Sequence, residues 1–330
     1  MKRAATRSGE FDRIARYFAP LAESHPGAFG LRDDAAVIAP QTGHEFVVTT
    51  DTIVAGVHYI GDEPPALVAS KLLRVNLSDL AAMGAEPHAY TLNIALSSDT
   101  DDRWVEGFAS GLAEDQAHFG IVLIGGDSVG TPGPNVFTLT AFGEVPVGGA
   151  LRRVGACVGD TVYVSGTIGD GALGLLALRN RLYGLSAKEH ETLAGRYRRP
   201  EPRLALGRRL SGIVHAAADI SDGLVADLTH IADASGVAAI IDAALVPLSS
   251  AAHRAITADG SLLKIILSGG DDYELVFCAP TENDSALQVL AAEIGLPLTA
   301  VGSIHQGAGV RVFDVDGAEI ELDRLGFAHG

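Results

Sequence analysis

Cysteine is nearly absent from this 330-residue chain: Cys157 and Cys278 are the only two, 121 positions apart. They form no pair with metal-ligand spacing and offer no disulfide framework, so reduced, semi-buried thiols in a cytosolic protein are expected. Positive charge is also short, with 24 Lys and Arg against 41 Asp and Glu and a formal net charge of −17. That balance excludes a nucleic-acid coat or an anionic-membrane binder, whose first affinity term is Lys and Arg against phosphate. No run of 18 apolar residues is present, which excludes a helical membrane span. Lys2, Arg3 and Arg7 are followed by Glu10 and Asp12 without an apolar segment, so no secretory leader is read and the expected localisation is cytoplasmic. Two nucleotide signatures are missing as well. There is no Lys-bearing phosphate loop, and Gly166, Gly169 and Gly171 lack the acidic strand end that a Rossmann fingerprint requires.

What the chain does have is apolar residues, 47% of the total, and 39 glycines. Its length allows roughly two domains with substantial cores. Residues 10–22 read as an amphipathic helix with Phe11, Ile14, Ala15 and Phe18 on one stripe. Phe46–Thr50 reads as a strand ending at Asp51, and residues 66–83 as a helix entered through Pro64 and Pro65. Tyr90–Leu96 is strand-like, and Thr100 to Asp102 reads as the N-cap and acidic first turn of the next helix. Ile121–Ile124 reads as a strand delivering Gly125, Gly126 and Asp127 into a turn, and Phe137–Val145 as a further strand. Several strand pairs leave no room for a crossover helix, which predicts α+β architecture with a mixed or antiparallel sheet. Pro146–Gly149 marks a boundary, giving expected domains 1–147 and 148–330. In the second half, Thr161–Val164, Lys264–Leu267 and Leu275–Cys278 read as strands, with helices near 170–179, 204–216 and 223–234.

The informative pattern is the placement of the aspartates. Asp34, Asp51, Asp79, Asp127, Asp219 and Asp222 each fall at a strand edge, in a glycine turn or on a helix flank. Magnesium takes oxygen ligands and shares them with substrate phosphates, so carboxylates drawn from separate elements suit it better than one acidic run. Thr49 and Thr50 add oxygens beside Asp51, and Asn76 and Asp79 share one helix face. An isolated Asp beside Gly is more often a turn residue, so the residues alone give a two-domain, metal-dependent enzyme with no substrate.

Six longer motifs carry more: Asp33-Asp34-Ala35-Ala36, the run from Thr49 to His58, the run from Val75 to Ala85, Gly125-Gly126-Asp127-Ser128, Asp219-Ile220-Ser221-Asp222-Gly223-Leu224, and Gly269-Gly270-Asp271-Asp272-Tyr273-Glu274-Leu275. In this order they resemble the thiamine-monophosphate kinase family, of the superfamily that includes aminoimidazole-ribonucleotide synthetase and selenophosphate synthetase. The resemblance implies ATP-dependent phosphorylation of thiamine monophosphate to thiamine diphosphate, by direct transfer with several Mg²⁺ ions, in a homodimer. It implies an N-terminal mixed sheet that forms a barrel across the dimer, carrying metal and nucleotide, and a C-terminal α+β domain that closes the active site. Asp34, Thr49, Thr50, Asp51, Asp79, Asp127, Asp219 and Asp222 resemble the family's magnesium ligands. Gly126, Asp127, Arg153 and Ser221 resemble its ATP contacts, and His58, Asp271 and Phe327 its substrate contacts. No covalent nucleophile or general base is implied.

Three positions depart from the family pattern. Arg32 stands where a small residue is usual, and its head group is expected to point outward. Asp271 stands in place of Glu and shortens the reach to substrate, and Phe327 is followed by three further residues. Two other readings stay open: another ATP-dependent enzyme of the superfamily, and a non-catalytic nucleotide-binding dimer. Neither a nucleic-acid nor a membrane partner has support in the sequence.

Overall fold

Strand β1 (His44–Val54) is rich in β-branched residues and alternates in burial, with Thr49, Asp51 and Ile53 turned to the covered side and Thr50 and Thr52 to the open one. The structure, a computed structural model, describes residues 9–327. Lys2, Arg3, Arg7 and residues 328–330 lie outside the described residues. The chain divides into two compact units, residues 1–80 with 86–148 and residues 81–85 with 149–330.

The first unit opens with a helical segment made of α1 (Glu10–Arg13), a π turn (Ile14–Phe18) and a 3₁₀ turn (Ala19–Ala22). Its expected stripe fails at two of its four positions, Phe11 and Ala15, which are both exposed. Phe11 is 82% exposed while Arg13, Tyr17 and Phe18 are buried, because the π turn shifts the phase of the helix by about one residue. Beyond β1 come α2 (Pro65–Ala82), β2 (Glu86–Ser97), α3 (Asp102–Phe119), β3 (Val122–Thr131) and β4 (Val136–Pro146). Asp101 caps α3 by accepting from Trp104 N–H at 2.9 Å, and Gly120 closes it in the left-handed conformation. The sheet order is β1-β4-β2-β3, with β2 and β3 parallel and the other pairs antiparallel. The mixed sheet is therefore as expected. Helix α3 packs on its covered face, where Trp104, Phe108 and Phe137 stack at centroid distances of 4.7–5.5 Å.

Two strand ends differ from expectation. β1 continues through Asp51 to Val54, and Gly125–Asp127 lies inside β3 rather than in a turn. A register shift between Tyr90 and Thr91 absorbs one residue there, so the glycines accommodate a bulge and let the strand run on. Gly126 is the tightest point. Its φ is +152°, and a Cβ would lie 1.8 Å from Leu92 O.

The second unit contains β5 (Thr161–Ser165), α4 (Asp170–Leu178), α5 (Ala187–Arg198), α6 (Leu204–Leu210), β6 (Ala216–Asp219), α7 (Leu224–Ser235) and β7 (Ala238–Asp242). It continues through α8 (Ser250–Ala258), α9 (Leu262–Ser268), β8 (Leu275–Ala279), α10 (Asp284–Ile294), β9 (Leu298–His305) and β10 (Gly309–Phe313). Its six strands are ordered β10-β7-β9-β5-β8-β6, with only β10 and β7 parallel. The run Lys264–Leu267, expected as a strand, lies in α9: Leu262 and Ile266 are buried one helical turn apart. A short apolar run fits either periodicity, and here the core selected the helix. The helix expected over 204–216 stops at Leu210, and Gly212 (φ +76°) turns the chain into β6.

Candidate active site

In the first unit, the motif residues fall into two groups. Thr49 on β1 donates its hydroxyl to Asp79 Oδ2 on α2 at 2.5 Å, and Asp51 lies on the same face of β1 as Thr49. Asn76, one turn before Asp79, is fully buried; its Nδ2 donates to Leu72 O at 2.9 Å while Oδ1 has no protein partner. A buried acceptor left open beside a carboxylate and a hydroxyl suits a hard cation or a water held by one. Thr50 is separated from this group. Its side chain points to the open face, donates to Leu139 O at 3.1 Å and accepts from Thr140 at 3.0 Å. His58 follows β1 and accepts the Val54 N–H at Nδ1, 3.1 Å away, which leaves Nε2 as the protonated nitrogen of the neutral ring.

The second group surrounds a cavity of about 320 Å³ beside β3. Phe18, Leu31, Leu92 and Ile124 contribute apolar wall, and Asp34, Gly126 and Asp127 line the same space. Asp127 is exposed and accepts its neighbour Ser128 N–H at 2.8 Å. Through register, Asp127 pairs with Asn93 and so lies on the face of Thr138 and Thr52, opposite to Thr49 and Asp51. Asp34 and Asp127 thus meet at the cavity, and Thr49 and Asp79 through the hydroxyl bond between β1 and α2. Arg32 is exposed.

In the second unit, Asp219 ends β6 and Ser221 and Asp222 form the turn into α7. Gly223 caps α7 and has no side chain to offer, so Asp227 in the first turn reaches back instead. One oxygen, Oδ2, accepts the N–H groups of Ser221, Asp222 and Gly223 at 3.0, 3.0 and 3.1 Å. Burial raises the Asp227 pKa to about 7, opposed by these hydrogen bonds. The same turn is held from two other sides. Asp271 N–H donates to Ser221 O at 2.9 Å, and Phe327 N–H to Asp222 O at 3.0 Å. Asp219, Ser221, Asp222, Asp271 and Phe327 are therefore brought together, and Arg153 lies near enough to act electrostatically on Asp227.

The Asp271 segment rests on two buried carboxylates. Asp272 accepts the N–H groups of Gly169 and Gly171 at the start of α4, at 2.6 and 2.9 Å, and burial pushes its pKa up to about 8. Glu274, fully buried, accepts from Ser165 Oγ at 2.6 Å, Arg196 at 2.8 Å and Arg203 Nε at 2.6 Å. Asp227, Asp272 and Glu274 are supporting residues that sequence reasoning did not single out. The available signal for Asp227 was a Gly at the cap position with an acid four residues later.

This two-unit α+β fold with its oxygen-rich clusters has the architecture of the AIR synthase-related proteins. The family model for their N-terminal domain matches residues 32–145, and that for their C-terminal domain residues 158–315. Over 331 aligned residues the chain is 44% identical to the thiamine-monophosphate kinase of Caulobacter vibrioides, covering 99% of this chain and 92% of the relative. It is 43% identical to that of Escherichia coli K12, covering 97% and 98%. The crystal structure of the thiamine-monophosphate kinase from Stenotrophomonas maltophilia K279a superposes with a TM-score of 0.80 at 42% identity, over 88% of this chain and 91% of that one. AaThiL complexed with AMPPCP and TMP gives a TM-score of 0.76 at 29% identity, over 92% and 97%. The chain belongs to the thiamine-monophosphate kinase family.

Proposed function

We propose that this protein transfers the γ-phosphoryl group of ATP to the phosphate of thiamine monophosphate, giving thiamine diphosphate and ADP. The observation that carries this reading is identity of 42–44% to thiamine-monophosphate kinases over nearly the whole chain. A relative complexed with AMPPCP and TMP supports the substrate pair. The oxygen-only donor set suits magnesium. Asp34, Thr49, Asp51, Asp79, Asp127, Asp219 and Asp222 would hold the ions, with Thr50 contributing through its carbonyl because its hydroxyl is engaged elsewhere. When bound, magnesium would supply the positive charge that offsets repulsion between the two phosphate groups.

The chain's own residues do the rest. Gly126, which lines the cavity beside Asp127, contacts ATP through its backbone, while its lack of a side chain lets β3 lie against Leu92 of β2. Arg153 and Ser221 contact ATP, and His58, Asp271 and Phe327 position thiamine monophosphate. The acceptor phosphate has a second pKa near 6 and is already ionised at neutral pH, so no residue must act as general base and none becomes phosphorylated. Residues 1–147 carry metal and nucleotide and dimerise, residues 148–330 contribute Arg153, Ser221, Asp271 and Phe327, and the protein works in the cytoplasm.

The test is product analysis with thiamine monophosphate, ATP and Mg²⁺, run beside Asp127→Asn. Equal thiamine diphosphate and ADP are expected from the native chain, lost without Mg²⁺ and reduced by about 10³-fold or more in the folded variant. ADP without thiamine diphosphate would assign another acceptor. Nucleotide binding without any turnover would favour the non-catalytic reading.

A further inference from the structure

Among the described residues, two clusters bring together three potential metal ligands, and one of these includes Asp222 of the proposed kinase site. The other is Cys157, Asp160 and His215, where one ligand atom from each side chain lies within 4.8 Å of the other two. His215 Nδ1 is 3.0 Å from both oxygens of Asp160. Asp160 is 3% exposed, whereas Cys157 and His215 open to solvent. The Cys157 thiol, a weak donor, gives its hydrogen bond to Gly155 O at 3.3 Å.

The backbone holds these groups in place. Gly159 N–H donates to Ile304 O and Ile304 N–H to Asp160 O, both at 2.9 Å, which fixes the Cys157–Asp160 turn on β9. His215 N–H donates to Cys278 O at 2.8 Å, which fixes the imidazole on β8. Gly155, with φ +130°, permits the loop to close: a Cβ there would stand 2.5 Å from His215 O. Asp160 also accepts the Cys157 N–H at 2.8 Å. A turn-capping carboxylate paired with a surface histidine would account for that bond and for the Asp160–His215 contact, but it gives no role to the thiol.

We propose that Cys157, Asp160 and His215 form a site for a borderline-soft divalent transition ion of the zinc class, with a fourth position open to water. Tetrahedral N and O ligands at about 2.0–2.1 Å from zinc stand about 3.3 Å apart, close to the observed 3.0 Å between His215 Nδ1 and Asp160. The thiol completes the set by rotating away from Gly155 O and losing its proton to solvent. A thiolate and a carboxylate neutralise the divalent charge, which favours capture by a chain of net charge −17. Sulfur and imidazole select zinc-class ions over magnesium, so this site and the oxygen-only kinase site take different metals. Coordination here would tie the loop following Arg153 to the His215 segment.

The experiment titrates the tag-free, chelator-stripped full chain with Co²⁺, without nucleotide or substrate, and follows thiolate-to-cobalt charge-transfer absorption. One equivalent is expected to produce the band, and Zn²⁺ to remove it. Cys157→Ser abolishes it, and His215→Ala weakens binding about tenfold or more, with Mg²⁺-dependent kinase turnover unchanged in both. Cys278 is fully buried and cannot supply the signal. No band in the native chain, a band surviving Cys157→Ser, or affinity unaltered in His215→Ala would each overturn the assignment. Because no substrate is present, failure here leaves the kinase reading untouched.

Discussion

At the scale of single residues, the second unit keeps the Ser221–Asp222 turn of the candidate site in shape with buried carboxyl groups rather than with packing alone. Asp272 is the clearest case, since both oxygens are engaged at the start of α4 while burial lifts its pKa to about 8. An Asp in the unfolded chain titrates near 3.9. Between about pH 4 and pH 8 the folded protein therefore binds a proton that the unfolded chain has released. Stability contributed by this group is full below about pH 4, falls as pH rises, and is lost above about pH 8. Asp272→Asn has no such proton, so urea unfolding across this range should show a shallower loss for the variant, by up to about 1.4 kcal/mol per pH unit. Parallel profiles for the two proteins would refute the shifted titration. Such residues were hard to read from sequence. Asp271 and Asp272 are adjacent and chemically identical, yet one is partly exposed beside Ser221 and the other is sealed beneath α4.

At the scale of elements, β3 shows how glycine placement serves a site. Gly125 and Gly126 suggest a turn by composition, but the strand continues because β2 shifts its register by one residue and the bare backbone fits against Leu92. Gly126→Ala should part the two strands and cost about 1–3 kcal/mol by the measure of overpacked cores, with left-handed strain added. Gly130→Ala on the same strand meets nothing within 4 Å and should stay within about 0.5 kcal/mol of the native chain. Thermal unfolding of both variants checks the contrast, and equal effects would remove the close-approach argument. The long helices α2 and α3 were legible from their spacing and end signals. The π turn after α1 and the helix α9 were not, because each depends on which neighbours cover which side.

At the scale of the whole molecule, the first unit covers one face of its sheet only in part: Ala22, Ala28 and Leu31 pack over Ala89 and Phe142 and leave the rest of that face bare. Val48 (56% exposed), Thr50, Thr52 and Val129 (48% exposed) stand exposed on β1 and β3 among the described residues. The proposed homodimer uses this face. Val48→Lys buries a charge in such an interface, so sedimentation should find the native chain dimeric and the variant's dimer weakened about tenfold or more, the equivalent of about 1.4 kcal/mol. A monomeric native chain, or an unweakened variant, would place any interface elsewhere.

Sequence by itself determined the class of fold and the family, because ordered motifs and hydrophobic periodicity are local properties of the chain. The pairing of Thr49 with Asp79, the separation of Thr50 from that pair, and the turn held by Asp227, Asp271 and Phe327 were decided by tertiary structure alone. So was the meeting of Cys157 with His215, 58 positions apart in sequence. Strand register chooses the face on which a side chain emerges, and burial chooses its protonation. Both depend on neighbours that lie far away along the chain.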